Sequence, residues 1–117
     1  MNNKEYFLSL LEEIKRDTGA SSSMQPAIEH PAMAKIIGMG LPACQLIVDY
    51  WAESPNDGPH LFYALREITQ TSPTFPKQFY GKIKMLEGAW VSLLLEKGLI
   101  KEKEIDFQRN GTWKLRD

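Results

Sequence analysis

A chain of 117 residues has the size of one domain, and at that length roughly 65% of the unfolded surface can be buried, enough for a core without metal or disulfide staples. Apolar residues make up 43% and charged residues 25%, which excludes a chain that is disordered throughout. The net charge of −1, from 14 basic and 15 acidic residues, lacks the basic excess with which nucleic-acid binders neutralise phosphates.

The first predicted element is a helix. Phe7, Leu10, Leu11 and Ile14 recur at i, i+3, i+4 and i+7, while Glu12, Glu13, Lys15 and Arg16 lie elsewhere around the wheel. Asn2 and Glu5 have the spacing of a capping box, and Gly19 is a natural stop. Residues 20–29 read as a Ser-rich connector in which Pro26 prevents regular structure.

Three prolines then stand just inside an expected first helical turn, where the missing N–H costs nothing. Pro31 opens a short helix with Met33, Ile36 and Ile37 on one side, ended by Gly38-Met39-Gly40. Pro42 opens a helix to Ala52 that is apolar nearly all round, through Ala43, Cys44, Leu46, Ile47, Val48, Tyr50 and Trp51. Such a helix is expected to be central and covered on most sides. After the turn cluster Ser54-Pro55-Asn56-Asp57-Gly58, Pro59 opens a third, running to about Thr69 with Leu61, Ala64, Leu65 and Ile68 as its buried stripe.

Pro73 and Pro76 make residues 71–79 an expected loop, and a long helix follows from about Tyr80 to Lys97. Ile83, Leu86, Trp90, Leu93 and Leu94 form its expected inner face. Gly98 supplies the stop, with Leu99-Ile100 folding back on the last turn. The tail then changes period from 3.6 to 2. A three-residue loop at Arg109-Asn110-Gly111, with Gly111 left-handed, sets Phe107 opposite Trp113, Ile105 opposite Leu115 and Asp106 opposite Lys114. An Asn-Gly two-residue turn would instead set Phe107 opposite Lys114, mixing apolar and charged groups on one face.

The expected fold is therefore mainly α: a compact five-helix orthogonal or HEAT-like bundle with a C-terminal β-hairpin. It forms one domain over residues 1–117, divided into an N-terminal helix (1–19), a connector (20–29), a helical core (30–100) and a hairpin tail (101–117).

The run His30-Pro31-Ala32-Met33-Ala34-Lys35-Ile36-Ile37-Gly38-Met39-Gly40-Leu41-Pro42-Ala43, the segment from His60 to Thr69, the proline loop after it and Trp90 together resemble a family of short uncharacterised bacterial proteins. The resemblance runs from about Ser21 to Ile100 and implies no activity. The chain departs from the family pattern at Leu61, where Trp is common, and at Gln70, where Gly commonly follows the Ile-Thr pair. The alternation of a short helix, a glycine turn and a proline-led helix from Ile36 to Ile68 also resembles HEAT repeats, although no second copy is visible.

Catalytic and metal motifs are incomplete. His30, His60 and Cys44 are the strong nitrogen and sulfur ligands, and no pair among them has metal-ligand spacing; a mixed site with Glu29 or Asp57 would have to be assembled by the fold. Ser21-Ser22-Ser23 has no nucleophile elbow around it, and Cys44 lies among apolar residues, where a thiol is inert. Gly38-Met39-Gly40 lacks the rest of a phosphate loop. No catalytic residue, metal or cofactor is expected.

Aromatic residues together with Arg are the composition of a protein-binding patch. His60, Tyr63 and Glu67 share one helix face bordered by Arg66, with Phe75 in the adjacent loop. Phe107 and Trp113 on the hairpin form a second candidate surface. The expected function is a small non-catalytic interaction module: an adaptor, regulator or antitoxin-like partner of a larger protein. The alternative is a nucleic-acid-binding accessory protein, such as one belonging to a mobile element, acting through the Lys- and Arg-bearing tail. A small hydrolase-like enzyme with a His-based site stands third. The single cysteine, polar N-terminus and short apolar runs point to the cytoplasm and to no membrane partner.

Overall fold

In the computed structural model, the residues described are 2–19, 25–53, 60–74, 77, 82–101, 105–107 and 113–115. They are mainly helical, with six helices among them: α1 Asn3–Thr18, α2 Gln25–Glu29, α3 Pro31–Gly38, α4 Ala43–Glu53, α5 Leu61–Thr69 and α6 Ile83–Glu96. Two three-residue extended segments, β1 Ile105–Phe107 and β2 Trp113–Leu115, run antiparallel, with Cα partners Ile105–Leu115, Asp106–Lys114 and Phe107–Trp113. The residues expected to turn between them, Arg109-Asn110-Gly111, lie outside the described residues, as do Ser21-Ser22-Ser23, Asp57, Pro59, Phe75 and Tyr80.

The helix count is six rather than five because α2 occupies part of the expected connector. Pro26 does not prevent it: the proline is the second residue of α2, where its N–H has no intrahelical acceptor to lose. The chain passes from α2 to α3 through His30, whose N–H donates to the Ala27 carbonyl at 3.3 Å.

The helix ends follow from local chemistry. Asn2 Oδ1 accepts from the Glu5 N–H at 2.8 Å, so Asn2 caps α1, and its Nδ2 rather than its backbone N–H donates back to Glu5 Oε1 at 3.4 Å. Gly40 adopts φ +74°, which reverses the chain sharply enough to bend α3 against α4 by 120°. Gly98, at φ +70°, closes α6 in a Schellman arrangement: the Leu99 N–H reaches the Leu94 carbonyl at 2.9 Å and the Gly98 N–H reaches Leu95 at 3.0 Å. Ile100 is buried just beyond it.

Gln70 closes α5 in the left-handed conformation, at φ 57° and ψ 31°, and is the non-glycine residue that does so among the described residues. A Cβ in that region crowds the following carbonyl, at a cost of roughly 1–2 kcal/mol. The Gln70 side chain offsets part of this by donating from Nε2 to the Glu67 carbonyl at 2.6 Å, an exposed contact. Gln70→Gly is therefore expected to raise the free energy of unfolding by about 1 kcal/mol, read as an upward shift of the urea midpoint with an unchanged slope.

The core is one cluster with α4 at its centre. Phe7, Leu10, Leu11 and Ile14 of α1 are all buried, as their spacing requires. They meet Ala32, Met33 and Ile36 of α3, and α3 packs in turn against Leu61, Ala64 and Leu65 of α5. Ala43, Cys44, Ile47, Val48 and Trp51 of α4 are fully buried, with Leu46 and Tyr50 packed partly against the same cluster. The α4 surface touches α1, α6 and β2. Gln45 Oε1 also accepts from the Lys101 N–H at 2.9 Å, tying the segment after α6 back to α4.

The inner face of α6 is rotated from the expected one. Glu87, Gly88, Trp90, Val91 and Leu94 are buried, whereas Ile83, Leu86 and Leu93 are only half-buried. Apolar side chains run nearly all round this helix, so periodicity alone did not fix which face turns inward. Among the described residues no single helix is long and apolar enough to cross a membrane.

Candidate functional site

A groove of about 550 Å³ opens between α2, α5 and α6, with Ser72 from the segment after α5. Its lining consists of Gln25, Ile28, Phe62, Tyr63, Arg66, Ser72, Leu86 and Trp90. The α5 side chains are set by helical spacing. Leu61, Ala64 and Leu65 face the core, which turns Phe62, Tyr63 and Arg66 toward the flank. Phe62 is held by an edge-on contact with Trp51, with centroids 5.2 Å apart, so the groove wall is fixed to the centre of the core.

The polar groups sit on one side. The Arg66 guanidinium carbon lies 6.0 Å from the Tyr63 ring centroid, and Arg66 is exposed. Tyr63 is hydrogen-bonded to Glu67 one turn away, which pushes the phenol above its ordinary pKa because the hydroxyl proton serves the carboxylate. Among the described residues, Arg66 is the charged member of the groove lining, and the others are apolar, aromatic or neutral. A ligand with an apolar body and one anionic group matches that arrangement.

Of the residues expected to form a binding patch, Tyr63 and Arg66 line the groove and Glu67 reaches it through Tyr63. His60 is half-buried at the N-cap of α5, one turn away, and its side chain makes no cap hydrogen bond. Phe75 and the side chain of Phe107 lie outside what is described. Trp113 is not on an accessible surface: it is 2% exposed, on a β2 segment that packs against α4 and α6, with Lys84 of α6 over its ring. Ile28, Phe62, Leu86 and Trp90 complete the groove and were not expected in it. Ile28 belongs to the unexpected α2, Phe62 lies off the stripe expected for its helix, and Leu86 and Trp90 read from sequence as helix-core positions.

The remaining chemistry-bearing residues have structural positions. His30 Nδ1 accepts from the Ala32 N–H at 3.0 Å and caps α3, while Nε2 lies 2.8 Å from Asp17 Oδ2. The neutral tautomer with its proton on Nε2 satisfies both contacts. This hydrogen bond, and then Arg16 beside it, hold the Asp17 carboxyl below its ordinary range. Cys44 is fully buried and its thiol is pushed up to about 11 by desolvation, far from a reactive thiolate at neutral pH. Among the described residues, no group of three His, Cys, Asp or Glu side chains could hold a metal ion.

Glu87 is the residue that sequence reasoning missed. It is 0% exposed, the one charged side chain in the interior among the described residues. The signal was present: position 87 lies on the stripe 83, 87, 90, 94, where three of four residues are large and apolar. A carboxylate on such a stripe marks either a rotated helix or a buried acid, and both are true here.

No protein-family model matches the chain, and neither a curated protein nor a solved structure matches it.

Proposed function

We propose that this chain is a non-catalytic interaction module, an adaptor or regulator, that receives a peptide segment of a larger protein in the α2–α5–α6 groove. The observation that carries the reading is the groove lining. Ile28, Phe62, Leu86 and Trp90 offer an apolar seat, and Arg66 stands at its edge as a cation. Aromatic residues and Arg dominate binding energy at interfaces because they bury large areas at little entropic cost. The segment it suits carries one large apolar side chain with an Asp or Glu close by in sequence. HEAT-like packing of α3, α4 and α5 and a C-terminal hairpin built on β1 and β2 belong to the same proposal, as the scaffold behind the groove.

The test is selection from a displayed peptide library on the whole chain. Enriched peptides are expected to pair an aromatic or large aliphatic residue with a nearby acidic one. Arg66→Glu should weaken their binding at least about tenfold, close to 1.4 kcal/mol, without lowering Tm, since Arg66 is exposed. Absence of enrichment, or equal binding to the Arg66→Glu protein, would contradict the reading.

A further inference from the structure

Glu87 and Lys84 of α6 and Trp113 of β2 form a cluster that the groove does not use. Lys84 Nζ lies 3.5 Å from Glu87 Oε1 and 4.2 Å from the centroid of the Trp113 ring, so one ammonium group touches both partners. Neither Glu87 oxygen nor Trp113 Nε1 makes a hydrogen bond of good geometry among the described residues, and all three atoms are buried. A neutral carboxyl tolerates such a setting far better than a carboxylate, whose desolvation a single ion pair at this distance does not repay.

We propose that Lys84, Glu87 and Trp113 form a protonation-dependent latch, which holds β2 against α6 while the Glu87 carboxyl is neutral and loosens it when the carboxylate forms. Hydrating a charged Glu87 requires something above it to move. The α4 side is a packed helix at the centre of the core, whereas β2 is a three-residue segment whose strand partner among the described residues is β1, so β2 is the element that yields.

The surroundings single out Glu87 as the group that switches. Its pKa is pushed up to about 7, chiefly by burial, with Lys84 and more weakly Trp113 pulling it down. The elements packed closely on α6 are α4 and β2. The buried face of α4 presents Ala43, Cys44, Ile47, Val48 and Trp51, of which the titratable Cys44 stays neutral through this range. Among the described residues, Lys84 is therefore the charged group that acts on the carboxylate.

The test follows the Trp113 indole N–H resonance, and hydrogen exchange of the Trp113–Leu115 amides corrected for intrinsic rates, in the full ¹⁵N-labelled chain from about pH 5 to about pH 9. The expected result is an indole titration with its midpoint near 7 and a loss of strand protection of about tenfold or more above it. Glu87→Gln should abolish the titration and keep the strand protected throughout. Lys84→Met, which removes the compensating cation, should move the midpoint upward, and it decides the matter if Glu87→Gln does not fold. An unchanged Trp113 signal and protection in the wild type, the same midpoint in Glu87→Gln, or an unmoved midpoint in Lys84→Met would overturn the latch.

Discussion

Replacing Trp51 with alanine is expected to lower the free energy of unfolding by about 3–5 kcal/mol, a large share of the roughly 5–15 kcal/mol that holds a domain of this size. Trp51 is 0% exposed and lies on the helix that α1, α6 and β2 all touch, so the neighbours cannot collapse into the space without moving a helix. Its ring also supports Phe62 edge-on, so the substitution should loosen the groove wall as well as the core. Urea denaturation followed by circular dichroism at 222 nm measures the loss, and Leu41→Ser provides the contrast. Leu41 is 50% exposed, and its replacement should change stability by less than about 0.5 kcal/mol. Equal losses at the two positions would deny α4 its central place.

Stability is expected to fall, not rise, as pH increases from mildly acidic to neutral. Glu87 carries a folded-state pKa of about 7 against an ordinary value of 4.5. Between those values the folded chain holds a proton that the unfolded chain has released, so raising the pH favours unfolding. The contribution is fully present below the ordinary value, is lost progressively up to about 7, and is level above it. The shift corresponds to about 3 kcal/mol, capped in practice by the cost of releasing β2, since the carboxylate can reach water that way without global unfolding. Asp17 acts with the opposite sign at lower pH. Its lowered pKa gives a contribution that is present above 3.8 and lost as the pH drops through the folded value. Maximum stability should therefore lie on the acidic side of neutrality. Denaturation at pH 5 and pH 8 checks the sign, and in Glu87→Gln the difference between the two should largely vanish.

The helical architecture was legible where local chemistry and burial agree. The Asn2 cap of α1, the α1 stripe and the Gly98 cap are each decided within a few residues, and each forms where its residues imply. The helix α2 was hidden because Pro26 reads as a breaker unless its place in the first turn is known, and that place depends on where the helix begins. For α6 the difficulty was of another kind. With apolar residues nearly all round, its orientation is set by the partners that pack on it, namely α4 and β2, which lie far away in sequence.

The site was half legible for the same reason. Tyr63 and Arg66 announce themselves by residue type and spacing on one helix, and both line the groove. Its opposite walls come from Ile28, in a stretch that reads as a connector, and from Leu86 and Trp90, which a single-helix reading assigns to a core. Trp113 errs in the other direction. An aromatic residue on a short two-stranded element looks exposed until the helices beneath it are placed, and here they bury it against Glu87 and Lys84. Grooves and buried acids are properties of packed elements, so their signals in sequence are single residues out of character with their stripe.

The most direct test of the interaction reading is a ¹H–¹⁵N titration of the whole chain with a peptide selected on it, mapping where the resonances move. The account predicts perturbations concentrated at Ile28, Phe62, Tyr63, Arg66 and Trp90, lost together in Arg66→Glu. Perturbations confined instead to the surface between α1 and α4 around Leu8 and Tyr50, or spread evenly over the chain, would contradict it.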